Sequence, residues 1–337
     1  MAKRIGERNY SLDLLKLIAA YMVVLIHVRF VGDKGAVMQI ARFAVPVFFI
    51  SSGYFCYGND CDRIRNKLKN ILYILIFTVV LYTLMDIAMA LTGEGLAAYL
   101  SKFTYLKGWL KLVFFNVPFT STRVWFLYSL VYVYILQMIV CKLKISHRTT
   151  CVAGVSLLVI NLVVVELLSF FGVSSIAGKT IEVYMTRNFL FTGYPFFVIG
   201  MMMSKNKEKL CALSYFVPLG GIVLGAVLAL GSLAVAGNNE LTLGATVLAV
   251  SSFALAMKGT GIKYPKALIS IMECNLGIYI FHRPVTMVID KLLPDDAPAL
   301  IMNLRPVAVC VLTTLLTLCV RWAVSAVKER KHSAQKG

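Results

Sequence analysis

The stretch SLDLLKLIAAYMVVLIH, residues 11–27, opens an apolar run that is interrupted by an acid, a base and an imidazole: Asp13, Lys16 and His27. The run has the length of a helix that crosses a hydrocarbon core of about 30 Å at about 1.5 Å rise per residue. Charge at membrane depth costs several kcal/mol unless it is paired or solvated, so each of the three residues is a functional candidate. Lys16 and His27 are eleven positions apart. At about 100° per residue they share one face, separated by about 16 Å along the axis. Asp13 lies three positions before Lys16, within pairing distance on a helix. One stripe therefore leads from a charged pair to an imidazole, as the lining of a channel would.

The rest of the 337-residue chain extends this reading. Hydrophobic residues make up 59% of it, and the mean hydropathy is +0.79. The apolar runs do not alternate, so they predict helices rather than barrel strands. Ten spans are expected, at about 11–30, 40–58, 70–91, 124–141, 150–171, 187–204, 211–236, 242–257, 268–290 and 305–327. The fold class is an all-α integral membrane protein, a single bundle of about ten transmembrane helices. Residues 1–337 read as a single transmembrane domain with a cytoplasmic tail at about 328–337 and no soluble domain.

The net charge of +18 falls between the spans. Basic residues cluster at Lys3, Arg4 and Arg8; at 63–69; at Lys142, Lys144 and Arg148; at Lys205, Lys207 and Lys209; at Lys258, Lys263 and Lys266; and at Lys328, Arg330, Lys331 and Lys336. The positive-inside tendency puts all six on one side if the span count is even and both termini are cytoplasmic. This distribution argues for a lipid bilayer and against a nucleic-acid partner. The basic-then-apolar start resembles a signal peptide, but it lacks a small-residue cleavage site and reads as a retained first helix. Of eight cysteines, Cys56, Cys61, Cys141, Cys151 and Cys211 lie near the expected cytoplasmic ends. Thiols stay reduced there, so no disulfide is expected. No metal-ligand spacing occurs. The longest gap, 92–123, holds WLKLVFFNVPF at 109–119, too short to cross and suited to an interfacial connector or a lid.

The block with Asp13, Lys16, ten intervening residues and His27 resembles the N-terminal signature of the acyltransferase family 3 membrane proteins, in which an arginine usually stands where this chain has Lys16. VPVFFISSGYF at 45–55, RIRNKLKN at 63–70, VWFLYSLVYVY at 124–134, RNFLFTGYPFFVIG at 187–200 and LGIYIFHRP at 276–284 resemble further segments of that family, in the same order. The resemblance implies transfer of an acyl group from acetyl-CoA or another acyl-CoA, in the cytoplasm of a prokaryote, to a hydroxyl of an envelope glycan across the plasma membrane.

The residues make chemical sense of that reaction. A hydroxyl needs a base to take its proton, and His27 suits the task near neutral pH. Lys16 and Asp13 stand beside the path of the donor. Arg63, Arg65, Lys67 and Lys69 would hold the CoA phosphates. Oxyanion or substrate contacts are assigned among Ser52, Tyr54, Trp125 and Tyr279. Arg123, Arg187 and Asn188 stand beside aromatic rings at outer mouths, where a sugar would bind. Asp86 and Glu166 are acids within spans that need partners, and His282 is a second imidazole. Ten spans with buried ionisable groups also describe a transporter or exporter, although no internal repeat is present. The sequence leaves room for a homodimer.

Overall fold

Long apolar stretches must satisfy their backbone polar groups internally, and helices do so within each segment. The computed structural model describes residues 8–92, 95–173, 175–176, 178–237, 239–294 and 296–334; Lys3, Arg4 and Lys336 lie outside the described residues. The principal helices are α1 (Tyr10–His27), α2 (Ala36–Ala41), α3 (Ala44–Tyr54), α4 (Cys61–Thr92), α5 (Leu106–Phe115), α6 (Trp125–Lys142), α7 (His147–Leu162), α8 (Tyr194–Lys205), α9 (Phe216–Ala236), α10 (Leu243–Met257), α11 (Lys266–Met272), α12 (Asn275–Leu292) and α13 (Ala299–Ala334). Among the described residues the strands are confined to a hairpin that pairs Ser175–Ile176 with Lys179–Thr180.

Among the described residues, seven helical stretches are long and apolar enough to cross a membrane: Tyr10–His27, Ala36–Tyr54, Cys61–Leu91, Thr122–Lys142, His147–Phe170, Phe216–Ala236 and Ala299–Glu329. The other three expected spans fall on helices that do not meet that test. α8 has 12 residues. α10 is apolar but has 15. α12 carries Arg283, Asp290 and Lys291 and holds Pro284 within it. The architecture is thus an all-helical, multi-pass membrane protein, and length and composition alone support seven crossings.

The chain forms two compact units, residues 1–44 with 255–337, and residues 45–254. In the first, the Asn9 side chain caps α1 by accepting from the backbone N–H groups of Ser11 and Leu12. Its amide donates to the carbonyls of Ala256 and Met257, at 3.1 Å each. One cap residue thereby ties the start of α1 to the end of α10. α12 packs against α13 and α1. A Cβ on Gly277 would strike Thr317, so the approach of α12 to α13 depends on that glycine. Thr313 and Thr317 are buried, and their hydroxyls donate to Val309 and Thr313 carbonyls one turn back, which lets them sit in an apolar seam.

In the second unit, α3 and α8 approach backbone to backbone. A Cβ on Gly53 would collide with the Phe197 carbonyl, and one on Gly200 with the Ile50 carbonyl. Small residues allow such contact where lipid supplies no hydrophobic drive between helices. Gly53 of the SSGYF motif is therefore a packing residue.

The cysteine expectation is overturned. Cys61 and Cys141 form a disulfide, with Cα atoms 5.9 Å apart. They are separated by 80 residues, and only the packing of α4 on α6 brings them together. Cys56, Cys151 and Cys211 are outside the disulfide.

Candidate active site

In the first unit, α1 ends on His27 and α12 presents His282 one turn past its first buried residues. The two rings are stacked, with centroids 5.4 Å apart and planes 12° apart. His282 is fully buried. Its Nδ1 lies 2.6 Å from the Tyr279 carbonyl oxygen. A carbonyl only accepts, so Nδ1 carries the proton and Nε2 of the neutral ring is the basic nitrogen. Tyr279 is itself buried, its ring 6.0 Å from that of His282. The structure thus brings together three of the predicted residues, His27, His282 and Tyr279.

At the other end of α1 the charges form a network. Lys16 Nζ donates to Asp13 Oδ1 at 2.6 Å, the i,i+3 pair that the spacing implies. Asp13 Oδ2 accepts from Arg8 Nε at 2.8 Å. Arg8 also donates to Glu273 at 2.7 Å, and Arg321 pairs with the same carboxylate. Asp13 is buried and so is held by two cations, as a desolvated carboxylate requires. Glu273 sits in the break between α11 and α12. Hydrogen bonds from Arg321 and Arg8 hold its carboxylate. The sequence reading missed Glu273 and Arg321, although both fall inside expected spans. The rule that singled out Asp86 and Glu166 applies equally to them.

In the second unit, Arg187 lies over the Trp125 ring, 5.5 Å from its centroid, and pairs with Glu240 at 3.3 Å. Asn188 is buried and caps the following π turn, Phe189–Gly193. Its Oδ1 accepts from Leu190 and Phe191, and its Nδ2 donates to Tyr184 and Met185. That uses every hydrogen-bonding site it has in holding the turn. The amide of Phe189 donates to Asn116 at 2.8 Å, which docks the end of α5 on the same turn. The expected interfacial segment therefore contains a 10-residue helix, with Lys111 over the Tyr184 ring. Arg123 follows the Ser121 cap at the entry to α6.

The remaining predicted residues are dispersed. Ser52 donates to the Phe48 carbonyl one turn back, at 2.9 Å. Tyr54 stands edge-on to Phe253. Glu166 accepts from the Leu243 amide at 2.6 Å and so caps α10. Asp86 is half-buried on α4. In the basic segment, Arg63 and Arg65 face solvent beside Asp60 and Asp62. Lys67 donates to the Phe55 carbonyl at the end of α3, at 2.7 Å. Lys69 is exposed. No cluster of three or more metal-ligating side chains occurs among the described residues.

Residues 9–324 match the family model of the acyltransferase domain. The chain belongs to this acyltransferase family. The match spans both units and includes α1, the 63–69 segment and α12. Membership in the family indicates acyltransferase activity, here in a protein whose helices span a membrane. No curated protein and no solved structure matches the chain.

Proposed function

We propose that the protein moves an acyl group, in the first instance acetyl, from cytoplasmic acyl-CoA to a hydroxyl of an extracytoplasmic envelope acceptor such as a polysaccharide. It would act as a single transmembrane domain of ten spans in the plasma membrane of a prokaryote, with both termini cytoplasmic. The observation that carries the reading is the stacked His27–His282 pair in a chain of the acyltransferase family.

In this mechanism His27 takes the proton of the acceptor hydroxyl. The oxygen attacks the thioester carbonyl, the new C–O bond forms, and the C–S bond breaks. The departing thiolate recovers the proton from the His27 imidazolium, which returns the base to its starting state. His282, fixed by the Tyr279 carbonyl, holds the His27 ring in place. Tyr279 is the oxyanion donor nearest to this pair in the chain, with Tyr54 and Trp125 as the alternatives. Arg63 and Arg65 are exposed enough to take the CoA phosphates, while Lys67 already serves the end of α3. Lys16, held by Asp13, is placed to guide the pantetheine arm towards His27. Arg187 on Trp125 offers a charged, stacked face suited to a sugar.

The test is CoA release from acetyl-CoA by protein purified in detergent, for wild type and His27→Ala, with acetyl-CoA binding measured by calorimetry. Binding that persists while His27→Ala abolishes release supports the reading. Equal release by the two proteins removes His27 as the base. Absence of both binding and release favours a transporter.

A further inference from the structure

Apart from the histidine pair, the second unit presents a short helix with two unlike faces. α5 has 10 residues, too few to cross a hydrocarbon core. It lies in the connector between Cys61–Leu91 and Thr122–Lys142, both long and apolar enough to cross. A connector between consecutive spans begins and ends at one membrane surface. At about 100° per residue, Trp109, Val113, Leu106, Leu110 and Phe114 fall within an arc of about 140°. All five are between 46% and 71% exposed. The opposite side is occupied. Phe115 stands edge-on to Tyr184, the Leu112 carbonyl accepts from the Tyr132 hydroxyl at 3.3 Å, and a Cβ on Gly108 would meet the Phe119 ring. Asn116, in the left-handed conformation, ends the helix and accepts from the Phe189 amide. α5 is thus pinned by one face and shows the other.

Charge borders the apolar arc. Lys107 and Lys111 are exposed and lie along one edge of it. One turn apart, their Cβ atoms are about 5–6 Å from each other, close enough for both ammonium groups to reach one phosphate. Lys111 Nζ sits over the Tyr184 ring at 4.4 Å, which holds that cation at the helix edge. The segment 95–119 contains Lys102, Lys107 and Lys111 and no acid. These lysines fall outside the six basic clusters, so membrane orientation does not account for them. The Trp109 indole donates to the Phe103 carbonyl at 2.9 Å, so its polar atom is satisfied and its ring can lie in hydrocarbon. An apolar arc with aromatic residues, edged by lysine, is the pattern of a helix that lies in the headgroup layer, and its affinity rises with anionic lipid. A phosphodiester without a compensating amine is the partner that both features fit.

We infer that α5 binds an anionic phospholipid, with the arc of Leu106, Trp109, Leu110, Val113 and Phe114 on its acyl chains and Lys107 and Lys111 on its phosphate. The inference needs the bilayer but not the transfer reaction. It assigns the second unit a lipid site whose occupant is selected by headgroup charge.

The experiment uses the full chain in phosphatidylcholine nanodiscs doped with a photoreactive lipid. The lipid is either phosphatidylglycerol or phosphatidylcholine, each with the same photoreactive acyl chain. Crosslinked peptides are mapped, and labelling within 106–115 is divided by labelling within α9, whose apolar side chains are exposed and which carries no charged residue. On that scale phosphatidylglycerol is expected to label 106–115 at least about fivefold more than phosphatidylcholine, the worth of one lysine near an anionic headgroup. Lys107→Glu combined with Lys111→Glu should abolish that preference while phosphatidylcholine still labels the helix. Leu110→Gln combined with Phe114→Gln should reduce labelling by both lipids. Equal labelling of the wild type by the two lipids overturns the inference. So does label on α9 without label on 106–115, the outcome expected if a second copy of the chain covers the arc. The wild-type comparison decides the question even if a variant fails to fold.

Discussion

The ring of His27, at the end of α1, lies flat against the ring of His282 in the middle of α12, 5.4 Å between centroids. Removal of His27 is expected to lower the rate of CoA release by about 10²–10⁴, the usual worth of a positioned base. His282→Ala should lower kcat by about tenfold or more while leaving acetyl-CoA affinity unchanged. His282→Phe keeps a stacking ring but loses the Nδ1 donor, so it should recover part of the loss. If His282 itself takes the proton, Phe and Ala will be equally impaired. Steady-state kinetics on the three variants separate these outcomes.

Glu273 joins Arg8 and Arg321 in one ion-pair network. Glu273→Gln leaves both guanidinium groups with a neutral partner and should lower the thermal midpoint at pH 7. The carboxylate is 28% exposed, so the effect will be small. A midpoint equal to that of wild type would show that the ion pairs add nothing to stability.

Gly53→Ala and Gly200→Ala each place a methyl group against a carbonyl oxygen of the facing helix. Each should destabilise the protein by at least about 1–3 kcal/mol, because backbone cannot yield as a side-chain tip can. Gly231, around which a Cβ meets nothing, is the control and should tolerate Ala. Detergent-resistant folding, followed by size-exclusion chromatography on heating, ranks the three.

The Cys61–Cys141 disulfide predicts a thiol count. Denatured, unreduced protein should titrate six of its eight cysteines, and reduced protein all eight. Cys61→Ser should titrate seven without reduction, with Cys141 as the additional thiol. Eight thiols in unreduced wild type would mean that the two sulfurs are neighbours without a bond.

The two histidines were both legible as residues, one from the Lys16–His27 spacing and one from the late LGIYIFHRP segment. Their stacking was not, because no periodicity links position 27 to position 282. The Asp13–Lys16 pair was legible, since three residues on a helix fix the distance. Its extension to Glu273 was not, because Arg8 and Glu273 are 265 positions apart. Glu166 stood out as an acid that needed a partner, and Arg187 as a charge beside aromatic rings. Each takes one from the segment that enters α10, Glu166 the Leu243 amide and Arg187 the Glu240 carboxylate.

By itself the sequence determined that this is a multi-pass helical membrane protein of the acyltransferase family. Hydropathy over about 20 residues, and motif order along the chain, are local properties that need no folded neighbour. Only the tertiary structure decided which charges neutralise each other, which cysteines join, and where glycine lets two backbones touch. Those depend on helices distant in sequence meeting at ångström distances, where one methyl group or one hydrogen bond decides the fit.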